Sequence, residues 1–222
     1  QSLADRAVGD ERPTLRDHYR CQPEIIELSD LLCGYGLRVQ TPRRSLARQV
    51  PLLAGPVLLQ PVRGEQRRAG GSWANPEEVE MVVHLLGQLM RGGIPPGDVA
   101  VITPYLGQLE LLQRTLRRAG FPVDADHPVD RLLLQERLFD ELRPTSLAVG
   151  TVHRFQGGER PVVLFSTVVT RPRSLPFLNE RVNLINVAVS RAREHLVVVG
   201  DPVTLRGGRC TRLLVDKSLH LP

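Results

Sequence analysis

Val99-Ala100-Val101-Ile102-Thr103-Pro104-Tyr105 carries the strongest indication of the chain's architecture. Its first four residues form an uninterrupted apolar run, the pattern of a strand buried on both faces. The period then changes: Tyr105, Leu109, Leu112 and Leu116 recur at helical spacing, and Gly120 ends the run. A doubly buried strand that feeds an amphipathic helix is the repeating unit of a parallel sheet covered by helices.

The alternation extends outward in both directions. Upstream, Asn75-Pro76-Glu77-Glu78 reads as a capping-box helix start, and Val79, Val82, Val83, Leu86 and Met90 follow at helical spacing. Val57-Leu58-Leu59 begins a strand, and the Arg/Gly-rich stretch from Arg63 to Ser72 reads as a surface loop. Nearer the start, Pro23 opens a helix to about Leu32, closed by Gly34 and Gly36, while residues 37–55 look irregular. Downstream, residues 147–152, 162–169 and 196–199 predict three more strands, the last two separated by a helix near Val187 to Arg193. Residues 122–146 read as an inserted connection with a helix over Arg131 to Leu142, and residues 1–16 as a lead-in from a preceding domain. The expected architecture is α/β: one domain over residues 1–222, a parallel sheet with helices on both faces.

Composition narrows the function classes. With 41% hydrophobic and 24% charged residues the chain is expected to fold as a globular domain. No apolar run approaches the roughly 18 residues that span a bilayer, and Gln1-Ser2-Leu3-Ala4-Asp5-Arg6 lacks a signal-peptide core, so the cytoplasm is the expected compartment, without membrane partners. Cys21, Cys33 and Cys210 lie far apart, the six histidines show no paired ligand spacing, and no structural metal is expected. The net charge of +5 suits a polyanionic partner without requiring one. Lys217 is the sole lysine among 29 basic residues, and no glycine occupies the five positions before it. A phosphate-binding Gly-x-x-x-x-Gly-Lys-[Ser/Thr] loop is therefore excluded, and any ATPase function has to be shared with another domain.

Four segments carry the chemistry in fixed order: Leu15-Arg16-Asp17-His18-Tyr19-Arg20-Cys21-Gln22-Pro23, Val101-Ile102-Thr103-Pro104-Tyr105, Thr151-Val152-His153-Arg154-Phe155-Gln156-Gly157-Gly158-Glu159, and Asn186-Val187-Ala188-Val189-Ser190-Arg191-Ala192-Arg193. An aromatic ring beside a fixed cation, as in Tyr19-Arg20, can stack on a base while the guanidinium reaches a phosphate. Thr103 and Thr151 close strands with hydroxyls, and loops at the carboxyl ends of parallel strands are where ligands bind. Arg191 and Arg193, two apart on an expected helix end, point in different directions, so at most one addresses a given phosphate.

Together these segments resemble the C-terminal, second RecA-like domain of superfamily 1 helicases, in the 5′-to-3′ branch that includes the nonsense-mediated-decay helicase and bacterial relatives. The resemblance implies Tyr19 against the adenine of ATP, Arg20 at the γ-phosphate and Arg191 as the principal arginine finger, with Arg193 an interface or structural residue. It implies that Gln156 and Gly157 couple the nucleotide to the strand, and that Glu159 contacts the nucleotide sugar. Thr103 and Thr151 become phosphate contacts on single-stranded DNA or RNA. His153 reads either as groove lining or as a plain turn histidine, and Tyr105 as a groove residue or only a packing one. Two positions depart from the pattern, with Pro161 in place of a common acidic residue and Leu184 in place of a basic one. The resemblance further implies ATP and Mg²⁺, with the metal ligands on the preceding RecA-like domain, and a helicase motor within a longer protein. The alternative is a non-catalytic nucleic-acid or protein-binding module on a degenerate helicase fold.

Overall fold

The computed structural model describes residues 17–42, 50–124, 145–155 and 158–221. The expected lead-in over residues 1–16 and the helix over Arg131 to Leu142 lie outside the described residues, as do Gln156 and Gly157. In chain order the elements are β1 (Asp17–His18), α1 (Pro23–Cys33), β2 (Arg38–Val39), β3 (Val57–Pro61), β4 (Arg67–Ala69), β5 (Ser72–Ala74), α2 (Pro76–Arg91), β6 (Val99–Thr103), α3 (Leu106–Arg118) and β7 (Val123–Asp124). Then come β8 (Leu147–Thr151), β9 (Arg160–Ser166), α4 (Leu175–Asn179), α5 (Val182–Ser190), β10 (Ala192–Gly200), α6 (Pro202–Leu205), α7 (Arg209–Asp216) and β11 (Leu219–His220).

Seven strands form one sheet in the order β11-β3-β10-β9-β6-β8-β7, and every pairing in it is parallel. Parallel neighbours need crossovers, so the helices lie on both faces, and the strands read as continuous apolar runs for that reason. Successive residues divide between the faces. Leu59, Ile102, Phe165 and Val198 join a core with α1, α5 and α7, while Leu58, Val101, Leu164 and Val197 join a second core with α2 and α3. The expected α/β sheet covered on both sides is the one observed.

Element ends differ from the reading of the sequence in instructive ways. The last helix before β10 spans Val182–Ser190, and Arg193 belongs to the strand: Ala192 pairs with Arg160, and the amide of Arg160 donates to the Arg191 carbonyl at 3.0 Å. Good helix formers at Arg191 to Arg193 gave way to the ladder that a central strand has to complete. The expected loop from Arg63 to Ser72 contains a β-hairpin, β4 pairing β5 antiparallel with Ala69 opposite Ser72. Gly70 and Gly71 form its two-residue turn with φ of 52° and 78°, the positive pair that matches strand twist. On α2 the buried stripe runs through Val79, Val82, Leu85, Leu86 and Leu89, with Val83 and Met90 only half-buried.

Candidate functional site

The sequence-predicted residues assemble at two opposite edges of the sheet. At the amino ends of β9 and β10, Arg160 and Ala192 open neighbouring strands. The amide of Gln22 donates to the Arg193 carbonyl at 2.9 Å and carries Tyr19 to Cys21 across that edge. Tyr19 is 65% exposed, so it does no core packing. Arg20 Nη1 donates to Glu159 Oε1 at 3.1 Å. Arg191 is half-buried, with Nε donating to the Val187 carbonyl at 3.4 Å and Nη2 to Ser190 Oγ at 3.4 Å. The buried Cys21 thiol marks where these charges converge. Burial pushes its pKa up to about 11, the Glu159 carboxylate adds to the rise, and Arg191, Arg20 and Arg193 oppose it. His18 is held below its usual value, chiefly by burial, against the attraction of Glu159 and with help from Arg20.

An exposed ring beside three guanidinium groups fits a base followed by a polyphosphate. Among the described residues no cluster of His, Cys, Asp or Glu could hold a metal ion.

At the opposite edge, Thr103 of β6 pairs directly with Thr151 of β8. Thr103 is fully buried and its Oγ1 accepts from the Tyr105 amide at 3.4 Å, so its hydroxyl is turned to the chain rather than toward an approaching anion as the sequence suggested. Thr151 instead lines an open cavity of about 760 Å³ together with His153, Pro104 and Tyr105. His153 is exposed. Tyr105 caps α3 and stacks on Phe177 with ring centroids 4.8 Å apart. Burial, and secondarily the charge of Glu78, holds its phenol above the ordinary range.

A buried polar network that no sequence motif announces braces this edge. Glu78 was expected to complete a capping box. Its amide does donate to Asn75 Oδ1 at 3.2 Å, but its carboxylate turns inward and takes the Val168 amide at 2.9 Å on each oxygen, Ser166 Oγ at 2.6 Å and Asn75 Nδ2 at 3.2 Å. Gln108 Nε2 donates to Ser166 Oγ at 2.8 Å and ties in α3. Val168 has a φ of 69°, which costs a β-branched residue on the order of 1–3 kcal/mol and persists because its amide is clamped by the carboxylate. The visible signal was an acid at the third helical position of α2, ambiguous between cap and core.

One short connection links the two edges. Thr103 pairs with Thr151 and Ile102 with Phe165, which places Thr151 level with Ser166 at the far end of β9, while Glu159 precedes its near end. At about 3.3 Å per strand residue and about 4.8 Å per strand spacing, the chain from Thr151 to Arg160 has to cover roughly 22 Å. Its first four residues are spent in the 3₁₀ turn Val152–Phe155, which rises only about 2 Å per residue. Val152 is buried in the core and the half-buried Phe155 packs against it.

A parallel sheet clothed in helices, with cations at the amino ends of β9 and β10 and a cleft at the carboxyl ends of β6 and β8, is that of a RecA-like α/β domain. The family model described as an AAA domain matches residues 1–203, and the chain belongs to that family as the C-terminal RecA-like domain of a superfamily 1 helicase. The regulator of nonsense transcripts 1 homolog of Drosophila melanogaster is 27% identical over 215 residues, which cover 92% of this chain and 17% of that protein. The 5′-3′ DNA helicase ZGRF1 of Mus musculus is 28% identical over 215 residues, covering 94% of this chain and 10% of that protein. A solved structure, the C-terminal domain of a possible DNA helicase from Lactobacillus plantarum, aligns with 87% of this chain at 16% identity and a TM-score of 0.48, covering 96% of that chain. This chain thus spans less than a fifth of the length of the two relatives. Among the described residues no helix is long and apolar enough to cross a membrane.

Proposed function

We propose that this chain is the second motor domain of an ATP-dependent helicase or translocase and acts on single-stranded nucleic acid, DNA or RNA. The observation that carries the reading is the gathering of Arg20, Glu159 and Arg191 at the amino ends of β9 and β10 while Thr151 and His153 line a cavity at the carboxyl ends of β6 and β8, so that one domain has room for a nucleotide at one edge and a strand at the other. ATP, bound chiefly by the preceding RecA-like domain with its Mg²⁺, supplies the free energy of phosphoryl transfer. Tyr19 stacks on the base, Arg20 and Arg191 address the phosphates, and Glu159 faces the sugar. Exposed on the surface, the Arg20–Glu159 pair is worth at most about 1 kcal/mol, so it yields readily to a polyphosphate. Closure of the two domains then draws Glu159 and, through the connection carrying Gln156 and Gly157, moves Thr151 and His153 against the strand. Thr103 shapes that edge from beneath.

A binding module without motor activity would have no use for an exposed Tyr19 or for guanidinium groups at Arg20 and Arg191 gathered at the far edge. The test is steady-state ATPase of the intact protein with and without single strands. Turnover that rises severalfold with saturating strand supports the motor, and a protein that binds strands yet never hydrolyses ATP contradicts it.

A further inference from the structure

The chain holds one Trp, three Tyr and five Phe, and three of these nine rings line a single cavity: Trp73, Tyr105 and Phe177. Trp73 stands on β5, in the hairpin that the motifs do not include. The exposed Arg68 guanidinium lies 4.8 Å from the centre of its indole, Arg181 lies 4.9 Å from the Phe177 ring, and Arg173 joins the cavity wall. Thr151 and His153 line the same space. Arg68 lies over the indole face and is exposed, so an unpaired base can displace it and stack on Trp73 while the guanidinium moves to the neighbouring phosphate, a combination of ring and cation that holds a strand without reading its sequence.

The hairpin is also held in place. A Cβ on Gly107 would come within 2.9 Å of Ala69 Cβ and the Ala69 carbonyl oxygen and 3.0 Å of the Trp73 carbonyl oxygen, so α3 meets β4 and β5 backbone to backbone. Tyr105, at the cap of that helix, is buried beneath the cavity and pinned by its stack on Phe177. Trp73 is half-buried, packed against the core at one side while its ring contributes to the cavity wall.

From this arrangement we infer that the β4–β5 hairpin is a base-stacking wall of the strand groove, with Trp73 taking a nucleobase of the single strand and Arg68 and Arg173 its flanking phosphates. The inference rests on the reading of this edge as strand-binding and adds to it a residue and an element. A base can come from a strand or from a free mononucleotide. The open cavity, continuous with Thr151 and His153, favours the strand.

Because Trp73 is the sole tryptophan, its emission reports on the site without labels. The 222-residue chain is titrated with oligothymidylate, with an abasic oligomer of the same length, and with thymidine monophosphate, while the anisotropy of a labelled oligomer follows binding separately. Quenching by oligothymidylate that exceeds quenching by the abasic strand at equal occupancy is the expected result. Trp73→Leu, which keeps apolar packing without a π face, should lose the preference for bases over abasic sites and weaken oligothymidylate binding by roughly 5- to 150-fold, whereas Trp73→Phe retains most of both. Binding by anisotropy with unchanged emission overturns the stacking role and leaves the strand reading intact. Quenching by the mononucleotide as strong as by the strand overturns the strand as the source of the base. No binding of any oligomer overturns both the inference and the reading beneath it.

Discussion

Arg20 and Arg191 are held differently, and the difference governs what their removal does. Arg20 is largely exposed and paired with Glu159, whereas Arg191 is half-buried against the end of α5. Both are proposed to meet charge that develops during phosphoryl transfer, so Arg20→Ala in the intact protein should lower kcat far more than it raises KM for ATP. Tyr19→Ala should do the opposite, because stacking on the base is equal in ground and transition states. Its 65% exposure also means that thermal unfolding should stay within about 0.5 kcal/mol of the parent. Steady-state kinetics paired with melting curves check both statements. At this scale the sequence was informative where a residue's role depends on its type and neighbours: Tyr19, Arg20, Glu159 and Arg191 do share one edge. It was uninformative where the role depends on orientation. Nothing in Val101-Ile102-Thr103-Pro104-Tyr105 tells that the Thr103 hydroxyl is taken by the Tyr105 amide, and nothing local tells that Glu78 points into the core.

Elements up to β10 were mostly legible where a period or a cap announced them and less so at their ends, whereas α6, capped by Asp201, and the amphipathic α7 went unread. The hairpin was missed although Gly70-Gly71 is a strong two-residue turn signal, because the polar flanks Arg67-Arg68 and Ser72 lack the alternation that marks a strand. Its close seat on α3 makes Gly107→Ala a sharp probe: the added methyl has backbone on two sides, and overpacking of this kind costs about 1–3 kcal/mol. A lowered melting temperature with shifted Trp73 emission is expected, and an unchanged melt would mean the hairpin moves freely. The Glu78 network makes a second prediction. Burial pushes that carboxyl up to about 8 from an ordinary 4.5, against the hydrogen bonds from Ser166, Val168 and Asn75 that lower it. The folded chain therefore holds a proton that the unfolded chain releases between about pH 4.5 and 8, so this group's contribution to stability falls as pH rises through that window. Glu78→Gln can still accept from Val168 and donate to Ser166, and it does not titrate. Urea midpoints of the parent should fall relative to those of Glu78→Gln between pH 5 and pH 8, and parallel profiles would contradict the shift.

On the scale of the whole molecule, the proposed motor needs a partner domain to complete both the nucleotide edge and the strand edge. Its one lysine, Lys217, has its Nζ 2.7 Å from Glu27 Oε1 on the surface, outside any phosphate loop. The 222-residue chain alone should therefore hydrolyse ATP negligibly, and turnover by rigorously purified chain that disappears with Arg191→Ala would refute the shared site. That the sheet and both helical layers could be read from the sequence, while the carbon-by-carbon shape of the cleft could not, follows from what each depends on: periodicity for the first, and contacts distant in sequence for the second. In the proposed motor, nucleotide chemistry at the amino edge depends on Arg191. Steady-state ATPase of the intact protein at saturating strand, parent against Arg191→Ala and Arg191→Lys, tests it most directly. A kcat lower by on the order of 10³ or more is expected in both variants, with strand affinity unchanged, since a point charge does not reproduce the planar fork. Parental kcat in Arg191→Ala would contradict it.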